Sequence, residues 1–473
     1  MALGNSVQYA GEYNLEECKL FSSTGVTARL DANVIEFNLF ENMFVSGLVA
    51  SLVIVDQNNL VMNMPIVGQE FISIKLTTKG IGSFDFTENV FCVHRVGARQ
   101  DASSGAQIYE LNLVSPERVR VSQSFAGTNS EMIEAILRDE NLINTKKDID
   151  IDESSRLRRY VAPNTRPFDF ITTLCRESTS KKYNGSPHYF FYENSRGFQF
   201  RVLDSLYKQP TRGKFVASEA APIEGENKRG NLEKDYQRIM QFGISNSNDT
   251  LLTSRSGMLG STLIKYNIFN KNYTTERFNY FEDFNNHGRI DENPIYNQTT
   301  IDKKGNTLGN FPNAKIQLHP TSNNGTNDTQ YYDTDTGYSY GDNNAEVWIS
   351  SRRSKMTELR SGGLTIQMKT HGYCNLSAGD MVDITLPITG KDHGKSKIDT
   401  FYNGKFLVTQ IRHSFDQQER RHTMLMNVTK DSIPTEFKNV AKSIEPTSSV
   451  GETKWYEYYT TIQLRRAHKT HLY

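Results

Sequence analysis

The alternation of apolar and polar residues between Leu364 and Asp431 most constrains how this chain can fold. Leu364, Ile366 and Met368 alternate with polar residues, and this two-residue period predicts a strand with one buried face. Turn signals separate this strand from three further apolar stretches, at 381–386, 405–413 and 422–428. We therefore predict an antiparallel β-meander. Because an open sheet leaves unpaired edges, this meander must be closed, layered or covered by a partner.

A similar pattern occurs near the other end of the chain. A glycine and a following acid precede an alternating strand in both regions, as Gly68-Gln69-Glu70 and as Gly379-Asp380. A later strand carries His94-Arg95 in the first region and Arg412-His413 in the second. Five strands are predicted in the first region, at 33–40, 47–56, 71–77, 84–96 and 108–114. Two related β-domains explain this pattern, and a chance match between strand-rich regions is the alternative.

Composition limits the classes of partner. A chain of 473 residues exceeds what one core usually supports, so two to four domains are expected. The 54 Lys and Arg residues balance the 54 Asp and Glu residues, and this balance argues against a net field for nucleic acid or an anionic membrane. Hydrophobic content is only 37%, while 23 Tyr and 26 Phe are present. Aromatic surface suits large protein interfaces, so we expect a subunit buried against neighbours.

Cysteine usage and the absence of long apolar segments indicate a reducing, aqueous environment. The four cysteines, Cys18, Cys92, Cys175 and Cys374, are far apart and form no CxxC pair. The N-terminus has no signal-peptide pattern, and no segment is apolar for long enough to span a bilayer. We expect a soluble protein that is not exported by a standard route and does not insert stably into membranes.

Between the two β-rich regions the pattern changes to α+β. Thr128 and Glu131 match a capping box that starts one helix, and Pro167 suits the first turn of another. A hairpin is predicted for 189–202, with Gly197 in its turn. Apolar residues recur at helical spacing in both helices, namely Met132, Ile133, Ile136 and Leu137 in the first and Phe168, Ile171, Leu174 and Cys175 in the second.

The predicted organisation has four parts. They are a first β-domain with an N-terminal leader (1–118), an α+β domain (119–232) completed by the insertion 270–345, a discontinuous second β-domain (233–269 and 346–432), and a C-terminal tail (433–473). Segment 347–360 fits either a helix or a strand. The tail is either a disordered end or a docking arm, and the aromatic residues that would dock a partner are Trp455, Tyr456, Tyr458 and Tyr459.

A search for catalytic or metal-binding patterns yields no convincing site. The chain has no HExxH and no GxSxG motif. Cys374 near His371 is interpreted as a strand-edge coincidence, and Gly394-Lys395-Ser396 as a polar loop rather than a phosphate loop. The acids Glu177, Glu193 and Glu219 could pair for glycoside hydrolysis, as acids could in any chain of this size. We expect no catalytic residues and no cofactor.

The acidic run Asp148, Asp150 and Asp152 has the spacing that opens a calcium loop. Glu153 stands where that loop needs glycine, and Arg159 stands where it needs a bidentate glutamate. We interpret the run as a solvated acidic segment and expect no metal site.

Several segments together resemble the central hub proteins of contractile phage tails, a family that includes the T-even baseplate hub and the base of the VgrG spikes of type VI secretion. The resemblance covers residues 25–432. It rests on short motifs in the family's order: Glu41-Asn42-Met43-Phe44 to Ile54-Val55-Asp56 with Pro65-Ile66-Val67-Gly68-Gln69-Glu70, Ala162-Pro163-Asn164 to Phe168-Asp169-Phe170-Ile171 with Tyr189-Phe190-Phe191-Tyr192-Glu193-Asn194, and Ala378-Gly379-Asp380 with Tyr402-Asn403-Gly404-Lys405-Phe406-Leu407-Val408.

The resemblance implies a mainly β fold with an α+β insert. It further implies two similar, small, antiparallel β-barrel domains of the tail-tube type, the second of them interrupted by an insertion. Three chains would form a homotrimeric ring with pseudo-sixfold symmetry. The partners it implies are tail-tube or tube-initiator proteins above, a trimeric spike below and other baseplate proteins. The long polar insert and the extension after Pro434 depart from the family pattern.

The function we expect is that of a structural hub in a virion tail baseplate, assembled in the host cytoplasm, with DNA only in transit and no sequence-specific nucleic-acid binding. One alternative is the equivalent spike-base protein of a secretion or contractile injection system. A tail-associated cell-wall hydrolase and a monomeric carbohydrate-binding module are the others.

Overall fold

The computed structural model is mainly β, as predicted, with large antiparallel sheets and a smaller helical content. Its description covers residues 9–64, 66–78, 80–102, 105–119, 125–160, 165–217, 235–245, 249–267, 271–298, 304–321, 331–333, 338–340, 345–387 and 402–435. Within these ranges, no helix has both the length and the apolar character that crossing a bilayer requires.

The N-terminal region forms one side of the largest sheet. Its buried positions alternate along the strands, with Leu39, Leu52, Ile74 and Leu111 in one apolar core. Its elements are β1 (Asn14–Phe21), β2 (Thr27–Arg29), β3 (Val34–Asn42), β4 (Val49–Asp56), α1 (Leu60–Asn63), β5 (Phe71–Thr78), β6 (Gly82–Val96), β7 (Gln100–Ala102), β8 (Ala106–Val114) and a 3-10 turn (Pro116–Val119).

The α+β region follows. The capping box is confirmed, since the Thr128 hydroxyl accepts from the Glu131 amide and the Glu131 carboxylate accepts from the Thr128 amide. The hairpin is confirmed as well, with Gly197 at φ 121° after a two-residue turn. The elements are β9 (Phe125–Thr128), α2 (Asn129–Arg138), β10 (Ile149–Ile151), β11 (Leu157–Tyr160), α3 (Pro167–Glu177), β12 (Tyr189–Asn194), β13 (Gly197–Val202) and α4 (Leu203–Tyr207).

The C-terminal half contains strands on both sides of a long insert segment, which we define as residues 246–363. Segment 347–360, which fitted either a helix or a strand, is helical. The strands before and within the insert are β14 (Thr211–Val216), β15 (Ile239–Ser245), β16 (Gly260–Asn267), β17 (Tyr273–Asn279), β18 (Asn293–Pro294), β19 (Ile316–Thr321), β20 (Tyr331–Asp333) and β21 (Tyr338–Tyr340).

The remaining elements complete the insert and the chain's last strands. The insert helices are α5 (Thr250–Ser256), α6 (Tyr280–Asp283), α7 (Ala345–Trp348) and α8 (Ser350–Thr357), with 3-10 turns at Leu308–Asn310 and Pro312–Ala314 and a π-helical turn at Glu358–Gly362. The last strands are β22 (Leu364–His371), β23 (Met381–Thr385), β24 (Gly404–Asp416), β25 (Arg421–Lys430) and β26 (Ser432–Ile433).

The predicted meander is wrong at its first connection. β23, β24 and β25 are antiparallel neighbours in chain order, but β22 pairs with β25 and β15 instead of β23. The alternation of residues fixes which face of a strand is buried, but it does not fix which strand lies next to which. In the insert, β16 pairs with β17 and β19. Strand pairing alone does not draw domain boundaries, so the predicted boundaries stay predictions.

Two sets of six strands share one topology. The first sheet unit consists of β1, β3, β4, β5, β6 and β8, and the second consists of β14, β15, β22, β23, β24 and β25. The order across the sheet is β3-β4-β8-β6-β5-β1 in the first unit and β15-β22-β25-β24-β23-β14 in the second. Counted along the chain within each unit, both orders are 2-3-6-5-4-1. They differ in direction at one edge, because β1 is antiparallel to β5 whereas β14 is parallel to β23.

The glycine-acid pattern marks the same turn in the two units, with the acids at equivalent positions and the glycines one residue apart. Gly68 has φ +93° and Gly379 has φ +92°, a left-handed conformation that favours glycine. The acids that follow, Glu70 and Asp380, each accept a hydrogen bond of 2.9 Å from the backbone N–H three residues earlier. This part of the predicted correspondence is confirmed.

The β-bulges show which residues of the two units are equivalent. Val93 in β6 and Val408 in β24 each precede a bulge, and each donates its N–H to the carbonyl of the equivalent acid, at 2.8 and 2.9 Å. This register makes His94 equivalent to Thr409, whereas Arg412-His413 lies further along β24. The predicted equivalence of the two His and Arg pairs is therefore wrong, because a shared residue type does not set strand register.

The two left-handed glycines provide a paired test of this geometry. A Cβ at Gly379 would overlap the Tyr192 hydroxyl, whereas at Gly68 the nearest atom would be the Val93 carbonyl oxygen at 3.7 Å. We expect Gly68→Ala to lower the free energy of unfolding by about 1 kcal/mol, from backbone strain alone. Gly379→Ala should lower it by about 2–4 kcal/mol, because overpacking adds to the strain. Urea denaturation measures both, and equal losses would contradict the clash.

Candidate functional site

The two sheet units are joined by hydrogen bonds between β3 and β24. Seven residue pairs are in register, from Gln410 opposite Asn42 to Asp416 opposite Glu36. The outer edge of β24 therefore has two partners, because residues 404–407 pair with β23 and residues 410–416 pair with β3. We call the β3–β24 ladder the intrachain junction. It makes one continuous sheet from both units.

The intrachain junction also joins side chains from the two units. Phe415 of β24 belongs to the apolar core of the first unit. Its ring centroid lies 5.1 Å from that of Tyr13, 6.0 Å from that of Phe37 and 3.9 Å from that of His422. These aromatic contacts are worth more than their buried area alone, so the junction is packed as a protein interior.

The opposite face of the same strands is mostly polar, although Phe40 and Leu425 lie exposed on it beside Arg412. Arg412 Nε donates to Asn38 Oδ1 at 3.0 Å, and Ser414 Oγ donates to Glu36 Oε1 at 2.9 Å, so both hydrogen bonds cross the junction. We define the polar face as Glu36, Asn38, Gln410, Arg412, Ser414 and Asn427. Within this face, Asn427 Nδ2 also donates a hydrogen bond of 2.8 Å to Gln410 Oε1. The sheet thus has an apolar face over the cores and a hydrogen-bonded polar face on the other side.

Glu41 of β3 connects three parts of the chain. It is buried, and its two carboxylate oxygens accept from the Ser195 amide of the hairpin at 2.8 Å and from the Ala378 amide of the second unit at 2.7 Å. Burial raises the pKa of Glu41 to about 7, although both hydrogen bonds favour the ionised form. Close by, Arg196 forms an ion pair with Asp380. One side chain therefore fixes the hairpin between the two sheet units.

A second buried charge attaches the α+β region to the first unit. Lys147 Nζ lies 2.7 Å from Glu193 and 2.9 Å from Glu117. Burial disfavours the lysine charge, but the attraction of the two carboxylates outweighs it and raises the pKa of Lys147. Glu193 also accepts from the Leu48 amide and from the Ser115 hydroxyl. The glutamate is thus committed to a structural network.

A third buried cluster attaches the insert segment. Lys355 Nζ lies 2.7 Å from Glu358 and 2.9 Å from Asp431, at the end of β25. Tyr280 donates its hydroxyl to Glu358, and Asp431 accepts from the Ile290 amide. Burial opposes the charge of Lys355, but the two carboxylates raise its pKa above the ordinary range. The insert is therefore tied to the second unit by ionic as well as apolar contacts.

The residues singled out for chemistry occupy structural positions where the structure describes them. Arg201 forms ion pairs with Asp150 and Asp152, so the acidic run is neutralised in part rather than simply solvated. Glu177 accepts from the Tyr160 hydroxyl at 2.7 Å. Burial raises the pKa of Cys374 to about 11, so its thiol is protonated at neutral pH.

Metal-ligand clusters are absent from the described residues. His413 Nδ1 and His422 Nε2 lie 3.1 Å apart in the interior. Burial lowers the pKa of His413 to about 3 and that of His422 well below its ordinary value, so both rings are neutral near pH 7. This pair packs against Phe84 and Phe415, as aromatic core residues do.

The proposed docking residues of the tail, Trp455, Tyr456, Tyr458 and Tyr459, lie outside the described residues. So do Glu219 and the loop Gly394-Lys395-Ser396. Sequence analysis did not identify Glu41 or Lys147 as connecting residues. Glu41 follows Phe37 and Leu39 at the two-residue spacing of the buried face, and an acid on that face is the local signal for it.

The comparisons give similar structures but no matching family. No protein-family model and no curated protein sequence match the chain. A tail protein from Neisseria meningitidis is similar with a TM-score of 0.49 and 10% identity, over 89% of this chain and 97% of that one. The 43 kDa tail protein of prophage MuSo2 from Shewanella oneidensis has a TM-score of 0.48 and 7% identity, over 88% and 98%.

A chain of the Francisella PdpA-VgrG complex is similar with a TM-score of 0.40 and 9% identity, over 90% of this chain and 59% of that one. The solved structures similar to this chain are thus phage tail and VgrG-related proteins.

Glu41 should make stability depend on pH. Its pKa is about 7 in the folded chain and 4.5 ordinarily, so the folded state holds a proton that the unfolded state loses between these values. The free energy of unfolding should therefore fall as pH rises from 4.5 to 7, by about 3 kcal/mol from this group, and stay level above pH 7.

Urea denaturation across this pH range, in the wild type and in Glu41→Gln, measures the effect. The glutamine variant should lose this part of the slope. Glu88→Gln, which removes one exposed carboxylate from β6, should keep it. An unchanged slope in Glu41→Gln would contradict the assignment.

Proposed function

We propose that three copies of this chain form the central hub of a contractile phage tail baseplate. The hub would adapt a hexameric tail tube, or its initiator protein, to a trimeric cell-puncturing spike. The observation that carries this proposal is the shared strand order of the two sheet units. Equivalent bulges, and acids that accept the same backbone hydrogen bond in the two turns, support the same duplication.

A mismatch in symmetry between tube and spike would explain the duplication. A sixfold tube and a threefold spike cannot meet without unmatched contacts, because a closed oligomer repeats its contact surface as many times as it has subunits. Three chains with two similar units each would present six similar surfaces toward the tube while keeping threefold symmetry toward the spike. The insert segment interrupts the second unit alone, so each chain also carries a feature that repeats only three times.

The polar face suits the wall of a passage for DNA. Its amides, hydroxyls and paired charges are bonded to one another, as in the contact of Arg412 with Asn38. Lys and Arg balance Asp and Glu over the chain, so no net attraction would hold the phosphate backbone in place. A DNA molecule in transit needs such a surface, whereas a sequence-specific binder needs exposed cations and groove-reading side chains.

The proposed role is one of binding and needs no catalytic group or cofactor. The buried acids support it, since Glu41, Glu193 and Glu358 are each bound to backbone amides, a lysine or a tyrosine. Other baseplate proteins would cover much of the remaining surface. The place of action would be the virion baseplate, after assembly in the host cytoplasm.

Mass and shape test the proposal. Three chains of 53.9 kDa give about 162 kDa, which native mass spectrometry distinguishes from one chain. Negative-stain images of the same sample should show three-lobed rings with a central opening. A single-chain mass at every accessible concentration, or compact particles without an opening, would contradict the proposed trimeric hub.

A further inference from the structure

Three exposed apolar residues, Phe21, Val67 and Phe71, form what we call the end patch of the first sheet unit. Phe21 of β1 and Phe71 of β5 are directly opposed on neighbouring strands. Because Leu20 and Ile72 belong to the core, the two phenylalanine rings lie on the outer face of the sheet. Val67 stands in the turn that precedes β5. The three residues are 36%, 67% and 39% exposed, in chain order. Exposed apolar residues that lie together indicate an interaction site.

The equivalent positions of the second unit are buried. Counted from the equivalent acids of the two turns, Ser377 takes the place of Val67, and Met381 takes the place of Phe71. Ser377 and Met381 are each only 1% exposed. The chain thus covers this end of one sheet unit and leaves the same end of the other unit open.

Helix α4 provides much of the cover on the second unit. Leu203, Leu206 and Tyr207 have the i, i+3 and i+4 spacing of one helical face, and they share an apolar cluster with Met381. All three are buried. The chain itself therefore shows what kind of element fits this end of a sheet unit, namely a short helix with apolar residues on one face.

The direction of the edge strand explains why the first unit lacks this cover. In the second unit, α4 comes just before Thr211, the first residue of β14, which lies opposite Met381. In the first unit, Phe21 is the last residue of β1, and the chain turns there through residues 22–26 into β2. Because the two edge strands run in opposite directions, an element before β1 enters at the other end of the strand.

The turn of the first unit needs no charged partner. Glu70 is buried and accepts from the three preceding backbone amides at 2.9, 2.9 and 3.1 Å. The equivalent Asp380 instead forms ion pairs with Arg196 of the hairpin and with Arg212. An element that covers the end patch would therefore bring apolar side chains and no cation.

The described helices of five or more residues in this chain offer no second face of this kind. The apolar residues of α2, α3 and α4 are already buried. The single apolar residue of α8, Met356, packs in the cluster around α4. Helix α5 exposes Leu251 and Leu252, but adjacent residues point about 100° apart on a helix and do not form one face. A matching helix is therefore expected in a different protein.

We propose that the end patch binds a short amphipathic helix of a different baseplate protein, with apolar side chains at the spacing of Leu203, Leu206 and Tyr207. This inference rests on the proposed function, which supplies the class of partner. The helix would lie across the two phenylalanine rings of the patch, in the place that α4 takes on the second unit. An amphipathic helix that lays its apolar face on an apolar surface is a recurring mode of recognition between proteins.

Photo-cross-linking in purified tail particles tests this contact. The chain carries p-benzoylphenylalanine in place of Val67, whose exposed side chain leaves room for a larger group. Irradiation should join this position to a different protein. Mass spectrometry of the digested product should place the bond in a segment with apolar residues at i, i+3 and i+4. The same group in place of Glu88, an exposed residue of β6 outside the patch, should not give this product.

Serine variants measure the contribution of the patch. Phe71→Ser and, independently, Phe21→Ser should lower the yield of this product at least about tenfold, because each removes an aromatic side chain from the contact. Phe311→Ser removes a phenylalanine that is 42% exposed on the insert segment, and it should leave the yield unchanged. Thermal unfolding checks that the variants remain folded. Equal yields in all three variants would overturn the role of the patch.

The remaining outcomes separate this inference from the proposed function. In particles that contain the chain, a product within the chain or between two copies of it would overturn the docked helix and leave the proposed hub intact. A product in a segment without the helical spacing, or no product, would do the same. Tail particles that lack the chain would overturn the proposed function and this inference with it.

Discussion

The backbone N–H and C=O groups at the edge of a sheet need hydrogen-bond partners, and the rest of this structure depends on how that need is met. The β3–β24 ladder meets that need between the two sheet units and makes one sheet of them. The position of Phe415 in the core of the first unit follows from the same ladder, as do the polar contacts of Arg412 and Ser414 on its other face.

Buried charges position the parts that the duplication does not account for. Glu41 binds the hairpin of the α+β region. Lys147, just before β10, pairs with Glu193, and Lys355 ties the insert segment to Asp431. Buried ion pairs add little net stability over apolar packing, because desolvation offsets their attraction. They do penalise misplaced arrangements, since a separated partner leaves an unpaired buried charge. In this chain, the buried charges orient the α+β region and the insert segment on the two sheet units.

Local features were predictable from the sequence, and long-range pairing was not. The capping box at Thr128 and the hairpin turn at Gly197 depend on residues within a few positions, so the residue pattern alone specifies them. The pairing of β22 with β25 depends on chain segments that are more than 50 residues apart, and alternation carries no information about it. Lys147 stood in a charged stretch typical of a solvated surface, and only the fold shows that Glu117 and Glu193 enclose it.

The sequence revealed the duplication of the sheet unit only in part. A glycine before an acid was visible in both regions, but the equivalence of Glu70 and Asp380 required their hydrogen bonds and the bulges beside Val93 and Val408. A structure of the assembled protein by electron cryomicroscopy, at a resolution that traces strands, would show whether the duplicated sheet units surround one axis. We expect six sheet units around one axis, related by rotations of about 60°. An assembly in which the two sheet units of each chain share no rotation axis would contradict the proposed pseudo-sixfold hub.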